Sequence, residues 1–411
     1  MLIGFKKLRK LQTFSALKYL NYRLWFGGQI VSLFGTWMQS TALGFLIYDI
    51  TKSPAYLGYV TFAPGLASWL FMLYGGIVAD RISRRTLMII TQTAMMALAF
   101  ILAALTFLNL VQPWHIILLS FLLGVANAFD APARLALVNE LVDRQDLTNA
   151  IALNSTMFNT ATVLGPTLAG IFYAILGPGW CFMINGVSFI AVIGALGLMR
   201  LRSEPKQIHR ASVHLEFKEG LEYVLSNSTV LNLIILIGVV SFLGISFSTL
   251  YPAWAVDVLG GDVTTNGLLR SAQGIGALLG ALSIASLGRF RYRGRLLTVG
   301  TFAFPIFILM FSAIRWIPLS LLILVGVGAA SILIMNLANS LVQTNVLDDL
   351  RGRVMSIYSL IFFGFMSLGS LAMGLIADQF NEPTAVILGG SGLLFSAILI
   401  WIFVPRLRAL E

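Results

Sequence analysis

Runs of apolar residues long enough to cross a bilayer recur along this chain. Residues 87–110 and 233–250 contain no charged side chain, and comparable runs are separated by short charged, glycine- or proline-containing segments. A spanning helix needs roughly 20 mostly apolar residues, whereas a strand of a membrane barrel needs about 10 with alternating polarity. The runs are long and do not alternate, so they predict an all-α integral membrane protein.

Composition supports this class and excludes others. Apolar residues make up 58% of the 411 residues and charged residues 11%, whereas a soluble globular chain carries about 25% charged residues. Residues 1–23 lack the apolar core and cleavage site of a signal peptide, so the run 24–48 is expected to be the first span. Cys181 stands alone, and the sequence has neither a Cys/His metal spacing nor a phosphate-binding glycine loop. We therefore expect no enzyme activity, no metal and no bound cofactor.

Charges, prolines and glycines divide the chain into twelve predicted spans. They are 22–49, 54–78, 86–109, 114–135, 150–177, 180–200, 229–255, 265–287, 296–314, 317–341, 353–377 and 384–404. Of the 27 lysines and arginines, only Lys52, Arg270 and Arg315 fall on or near the side away from the N-terminus. Cytoplasmic loops are enriched in Lys and Arg, so both termini are predicted to be cytoplasmic, in the plasma (bacterial inner) membrane. The net charge of +10 then indicates contact with anionic lipid rather than nucleic acid.

The two halves of the chain carry matching sequence. Residues 164–170 (LGPTLAG) match 368–374 (LGSLAMG) at an offset of 204, and Gly58 matches Gly267 at an offset of 209. Parallel duplication of this kind is typical of transporters in which the substrate path runs between the halves near mid-membrane.

A charged segment separates the halves. The predicted division is a six-helix bundle over 1–200, a linker over 201–228 and a second six-helix bundle over 229–411. Within the linker, Phe217 and Val224 belong to an apolar set at helical spacing among charged residues. This pattern predicts a short amphipathic helix on the cytoplasmic membrane face, or simply a tether between the halves.

The loop after the second span has a distinctive sequence. Residues 76–85 read GIVADRISRR, which resembles the G-x-x-x-D-R-x-G-R-R motif of the major facilitator superfamily, with Ser83 in place of the usual glycine. The resemblance implies charge contacts among helix ends that stabilise an outward-open state. The motif residues in this chain are Gly76, Asp80, Arg81, Arg84 and Arg85.

A second motif lies in the fifth predicted span. Residues 161–170, ATVLGPTLAG, resemble the G-x-x-x-G-P-x-x-G-G antiporter motif of the same superfamily, which marks exporters that exchange substrate for protons. Gly165 and Gly170 allow another helix to approach closely, and Pro166 removes one backbone hydrogen bond and bends the helix. Helix packing alone is the alternative interpretation.

Three further segments narrow the resemblance. Residues 53–58, 130–134 and 350–354 are similar to the branch of the superfamily that contains the enterobactin exporter and related multidrug and macrolide efflux proteins. This similarity implies a transporter of small molecules and does not indicate which one.

Two charged residues fall at membrane depth in the fourth span. Asp130 and Arg134 share a helix face, and a rise of about 24 Å from Trp114 puts Asp130 in the cytoplasmic half. Asp130 either carries the coupling proton or is permanently paired with Arg134 as a brace, and the adjacent arginine favours the brace. Other charges, including Arg270 and Asp257, are expected near the outer helix ends, where an interfacial charge costs little.

Neutral polar stripes and a few aromatic residues are the candidates for the substrate cavity. The superfamily resemblance implies a cavity lined mainly by spans one, four, five, seven, ten and eleven, which favours the stripe on span one. Hydrogen bonding between helices is the alternative role of the polar members. The candidates are Gln29, Ser32, Thr36, Trp37, Gln39, Ser40, Asn159, Thr162, Phe242, Asn336 and Asn339.

These features together predict a secondary active transporter. It is expected to export a large amphipathic small molecule by alternating access, to use the proton gradient, and to act as a monomer in contact with membrane lipid. One alternative is an uncoupled transporter, or one that carries a lysophospholipid-like lipid. The other is a membrane receptor or assembly partner that does not transport, against which the two motifs argue.

Overall fold

The computed structural model describes residues 14–200, 213–287 and 292–410, and regular structure within these ranges is helical. Eleven of its helices are long and apolar enough to cross a membrane. The prediction of an all-helical membrane protein is confirmed for the described residues. The helices are α1 (Leu20–Thr51), α2 (Pro54–Arg81), α3 (Arg84–Phe107), α4 (Pro113–Glu140), α5 (Leu147–Leu176), α6 (Pro178–Leu198), α7 (Val213–Ser226), α8 (Ser228–Val258), α9 (Val263–Leu287), α10 (Arg293–Ala313), α11 (Ile317–Asn345), α12 (Arg351–Gln379) and α13 (Glu382–Phe403).

Several helices continue beyond the spans predicted from the apolar runs. α4 ends at Glu140, whereas the predicted span was 114–135, and α11 ends at Asn345, whereas the predicted span was 317–341. The backbone hydrogen bonds of a helix do not depend on apolar side chains, so helical structure can persist into polar sequence. The apolar pattern therefore located the spans but not their polar ends.

α8 departs from regular α-helical geometry in its middle. It is α-helical over Ser228–Val239, forms a π-helical segment over Val240–Gly244 and then a 3₁₀ segment over Ile245–Leu250. Changes in the number of residues per turn rotate the side chains of the next turns. In this arrangement Ser248 lines a cavity between the helices, whereas Phe242 makes an edge-on ring contact with α12.

Packing divides the long helices into two sets. Helices α1 to α6 pack mainly on one another, and α8 to α13 do the same. Two helix pairs join the sets extensively, α2 with α12 and α5 with α9. The second helix of each set thus packs on the fifth helix of the other, as a duplicated chain would arrange them.

Matching glycines make matching contacts in the two sets. Gly165 of α5 leaves room for Trp37 of α1, and a Cβ at this glycine would collide with that side chain. Gly369 of α12, which is 204 residues later, leaves room in the same way for the backbone of Phe242 in α8. Both glycines allow the first and fifth helices of a set to approach closely.

The predicted linker helix is present as α7. Val224 is buried against the core of the second set, whereas Leu225 is exposed. Glu219 also forms an ion pair with Arg353 of α12. The helix is therefore attached to the second set by packing and by charge, and residues 201–212 of the linker lie outside the described residues.

Candidate transport site

The two ends of the helix assembly differ in charge. Arg84, Arg144, Arg293 and Arg351 lie at or next to helix starts on one end, which we call the arginine-rich end. The other end, which we call the opposite end, contains the connection between α1 and α2 at Lys52.

A cavity of about 460 Å³ lies between the two sets of helices. Helices α1, α2, α3, α4 and α6 line it on one side, and α8, α9 and α12 on the other. Its volume falls in the range of about 300–1,000 Å³ that is usual for small-molecule sites. All the candidates on α1 line this main cavity, namely Gln29, Ser32, Thr36, Trp37, Gln39 and Ser40.

A second cavity of about 490 Å³ adjoins the main cavity toward the arginine-rich end. Gln29, Leu33 and Arg134 line both cavities. The candidates Asn159 of α5 and Asn336 of α11 lie on the wall of the second cavity, one from each set of helices. The two cavities therefore lie next to each other, and both are lined by the two sets.

Three candidates lie away from these two cavities. The Thr162 hydroxyl donates a hydrogen bond to the Phe158 carbonyl within α5, at 2.9 Å. Phe242 packs on α12, and the Asn339 side-chain oxygen accepts a hydrogen bond from Gln343 Nε2 at 2.6 Å. Thr162 and Asn339 are thus hydrogen-bonded within their own helices, whereas Phe242 contacts another helix.

Several buried polar atoms on the wall of the main cavity lack a hydrogen-bond partner among the described residues. They include Gln29 Oε1, Gln92 Oε1 and Ser120 Oγ. Burying a polar group without a partner costs free energy. The wall is therefore suited to a ligand that offers polar groups as well as apolar surface.

The opposite end is closed by contacts between the two sets. The Tyr48 hydroxyl of α1 donates a hydrogen bond to the Asp257 carboxylate of α8, and the Ser53 hydroxyl next to α2 donates one to the Asp378 carboxylate of α12. Ion pairs at the arginine-rich end instead join residues within one set, namely Lys18–Asp146, Arg84–Glu140 and Arg353–Glu219.

Asp130 connects α4 to α3 at the wall of the main cavity. Its side chain is 1% exposed, and its Oδ1 accepts hydrogen bonds from Thr91 Oγ1 and Gln92 Nε2, both at 2.9 Å. Its Oδ2 lies 3.7 Å from Arg134 Nε, which is too long for a hydrogen bond. The Arg134 side chain is 32% exposed. The two residues thus interact by charge, and both line the main cavity.

The loop motif is only partly described. The side chains of Asp80 and Arg81 lie outside the described residues. Gly76 has no neighbour within 4 Å of the position of a Cβ, so space does not require glycine there. Ser83 caps α3, because its Oγ accepts a hydrogen bond from the Thr86 amide at 3.1 Å. Its φ of −59° also explains why this turn accepts serine instead of glycine.

The two arginines of the motif that are described bind neighbouring helix ends. Arg84 forms an ion pair with Glu140 of α4. Arg85 Nη2 donates a hydrogen bond to the Gly197 carbonyl of α6, at 2.6 Å. The start of α3 is thereby fixed to the ends of two helices of its own set.

The fifth-span motif lies where the two sets meet. α5 continues as a helix through Pro166, and Gly170 packs on α9, with a Cβ placed 3.0 Å from Thr264 Cα. The matching Gly374 of α12 packs on α2, where a Cβ would lie 2.7 Å from the Pro54 carbonyl oxygen. The repeated motif therefore brings the sets together twice, by equivalent contacts.

The structure adds Arg270 to the candidate site, although the sequence pattern predicted a different location for it. It was expected near a membrane interface, but it lines the main cavity, and its Nε is buried. The sequence did show a charge seven residues inside α9. It could not show that α1 and α8 cover that position, which only the packing at the opposite end reveals.

The helical membrane fold, with a cavity between two similarly packed sets of helices, is that of a membrane transporter. Residues 11–411 match the family described as "Transmembrane secretion effector", and the chain belongs to this family of the major facilitator superfamily. The membership predicted from the two motifs is confirmed.

Three curated relatives of this chain are named as transporters or exporters of small molecules. The chain is 24% identical to the staphyloferrin A transporter of Staphylococcus aureus, over 87% of this chain and 90% of the relative. It is 21% identical to macrolide efflux protein A of Streptococcus pyogenes, over 93% and 96%. It is 24% identical to the enterobactin exporter EntS of Citrobacter koseri, over 94% and 92%. These relatives are membrane transporters and not enzymes.

A solved structure shows the same fold. The crystal structure of the nucleoside transporter NupG matches with a TM-score of 0.73 at 17% identity, and the match covers 94% of this chain and 99% of NupG. At this identity the similarity concerns the fold alone.

Proposed function

We propose that this chain exports a large amphipathic small molecule by alternating access, driven by the proton gradient. The observation that carries the proposal is the cavity between two sets of helices that are hydrogen-bonded to each other at the opposite end. A ligand bound there could leave on the other side once these contacts break and the sets rock.

The proposed architecture has twelve spans in two six-helix bundles, over 1–200 and 229–411, joined by the linker 201–228. Eleven helices meet the length and hydropathy expected of a span. The twelfth would be α2, which has 28 residues and packs in the first set beside α4. The equivalent glycine contacts of α5 and α12 support two bundles related by duplication.

The proposed orientation puts the arginine-rich end and both termini in the cytoplasm of a bacterium, with the protein in the inner membrane. The enrichment of arginine at that end supports it, because cytoplasmic loops retain positive charge. In this orientation the second cavity faces the cytoplasm, from which an exporter collects its substrate.

The proposed substrate is a drug- or siderophore-like molecule. Isolated amide and hydroxyl groups, such as those of Gln29 and Ser120, lie among many apolar side chains on the cavity wall. The relatives named for staphyloferrin A, a macrolide and enterobactin support a substrate of this size class.

Within this proposal Asp130 is a brace. Its Oδ1 holds α3 to α4 through Thr91 and Gln92, and its Oδ2 faces Arg134. A carboxylate that acts as a brace keeps these contacts throughout the transport cycle. A proton carrier would have to release them in each cycle.

Transport in liposomes tests the proposal. The purified full-length chain is reconstituted, a pH gradient is imposed, and accumulation of a macrolide, a siderophore and a lysophospholipid is measured. We expect accumulation of the macrolide or the siderophore against the direction of proton movement, and its loss with a protonophore. Protein-free liposomes are the control. Flux that does not depend on the pH gradient would favour an uncoupled transporter, and binding without flux would favour a receptor.

A further inference from the structure

Arg270 is a partly buried cation on the wall of the main cavity, and its Nε is fully buried. It lies near the start of α9, and its Nε has no hydrogen-bond partner among the described residues. We propose that Arg270 binds a carboxylate or similar oxyanion of the transported molecule, so that acidic amphipathic molecules are the preferred substrates. This inference rests on the proposed transport function and specifies its substrate class.

The charges around the cavities leave Arg270 uncompensated. The charged side chains that line the two described cavities are Asp130, Arg134 and Arg270. Asp130 and Arg134 face each other, whereas no described carboxylate lies within 4.0 Å of Arg270. Partial burial of a cation without a counter-charge carries a desolvation cost. An anionic group of a ligand would remove that cost when it binds.

The guanidinium of Arg270 has neighbours on α1 and α8. Its Cζ lies 5.9 Å from the ring centroid of Tyr251, in the range of a cation–π contact. The Tyr251 hydroxyl donates a hydrogen bond to Gln273 at 2.9 Å, which fixes the ring. A Cβ at Gly44 of α1 would lie 3.8 Å from Arg270 Nη2. The guanidinium thus lies between α1 and α8, with a fixed aromatic ring on one side.

Two hydroxyl groups of α8 that line the same cavity are already engaged as donors. Ser248 donates to the Ile245 carbonyl at 3.0 Å, and Thr249 donates to Ser370 Oγ at 2.8 Å. A hydroxyl carries one proton, so neither can donate to an anion without losing its present bond. The planar guanidinium has several N–H groups and can bind a carboxylate through two parallel hydrogen bonds. It is therefore the group on this part of the wall that is suited to an oxyanion.

The position of Arg270 also predicts how the molecule lies in the cavity. Arg270 is seven residues from the start of α9 at Val263, and Asp130 is seventeen residues from the start of α4 at Pro113. Both helices start at the opposite end, so the two charges differ in depth by about 15 Å at 1.5 Å per residue. The acidic group would lie toward the closed end, and the apolar body would extend toward the arginine-rich end.

Binding of matched acids and amides tests this inference. The probes are indomethacin and naproxen, each compared with its own primary amide, and affinities for the detergent-purified full chain are measured by equilibrium dialysis. We expect the wild-type protein to bind each acid at least about tenfold more tightly than its amide. Arg270→Gln should lower the affinity for the acids to about that for the amides, so that the preference for acids is lost.

Arg315→Gln is the matched control. Arg315 also lies over an aromatic ring, with its Cζ 5.6 Å from the Trp254 centroid, but it does not line either described cavity. The preference for acids should survive this change. If Arg270→Gln does not fold, Arg270→Lys replaces it, and several-fold loss of the preference is expected because lysine cannot form the planar two-point contact.

Two results would overturn the inference. One is equal affinity of the wild-type protein for acid and amide, which includes the case in which it binds neither. The other is an undiminished preference in the folded Arg270 variant. Transport of the macrolide or siderophore in liposomes separates these failures from failure of the transport proposal. If transport occurs but acids are not preferred, only the role of Arg270 is rejected. If acids are preferred in a way that depends on Arg270 but no transport occurs, only the transport proposal is rejected.

Discussion

Replacing Asp130 with asparagine tests whether this buried carboxylate is a brace or a proton carrier. In Asp130→Asn the amide oxygen can keep the hydrogen bonds from Thr91 and Gln92, so the loss is mainly the interaction with Arg134 at 3.7 Å. Two unit charges about 4 Å apart interact by about 4 kcal/mol at an effective dielectric constant of about 20 and by about 1 kcal/mol in bulk water. Since the Arg134 side chain is 32% exposed, we expect an intermediate loss of about 2 kcal/mol in the free energy of unfolding.

The double variant Asp130→Asn, Arg134→Gln sharpens this test. It removes the cation that the single change leaves unpaired, so it should recover part of the lost stability. Glu140→Gln in the same helix is the control. Its ion pair with Arg84 is more exposed, with the Glu140 side chain 45% accessible, so the loss should stay below about 1 kcal/mol.

The assay combines thermal unfolding of the detergent-purified variants with transport in liposomes. The brace predicts the lowest unfolding temperature for Asp130→Asn, a higher one for the double variant, and a nearly unchanged one for Glu140→Gln. A stable Asp130→Asn protein that still exchanges substrate, but no longer accumulates it with a pH gradient, would refute the brace. It would identify Asp130 as the coupling residue.

Three further predictions concern the ends of the assembly. Tyr48→Phe removes the hydrogen bond to Asp257 between the sets, which should favour opening of that end by about 1–2 kcal/mol, or roughly 5–30-fold in population. Distances between spin labels on the two sets measure this, and unchanged distances would contradict it. Asp80→Asn should leave the unfolding temperature unchanged but slow transport strongly, because the motif charge is expected to stabilise one conformation; a wild-type rate at normal expression would reduce the loop to a topology signal. Reporter fusions after Arg408 and Arg315 should report the cytoplasm and the outside, respectively, and a cytoplasmic signal at Arg315 would reject the twelve-span arrangement.

The helical pattern of the sequence located the polar wall on α1 well. Gln29, Ser32, Thr36 and Ser40 repeat at three- and four-residue spacing, so they share a helix face whatever surrounds the helix, and all of them line the main cavity. The same argument grouped Asn336 with Asn339, but of these only Asn336 lines a described cavity. Spacing indicates which residues share a helix face, but it does not indicate which part of the protein that face contacts.

The seventh predicted span shows what local sequence cannot supply. Phe242 was proposed to give the cavity apolar contact, but it lies within the π-helical segment Val240–Gly244 and packs on α12. Ser248 and Thr249 line the cavity instead. Departures from 3.6 residues per turn depend on tertiary contacts, such as Gly244 against Phe304, which no local pattern encodes.

The sequence alone determined the membrane class and the superfamily and located the long apolar runs, because apolar length and short motifs are local properties of the chain. Only the tertiary structure decided which end is closed and which charges are buried together. Tyr48 meets Asp257, and Arg270 comes to lie over Tyr251 beside the cavity, because helices distant in sequence pack at one end of the assembly. Burial of a charge depends on the helices that cover it, and that covering is a property of the fold rather than of any segment.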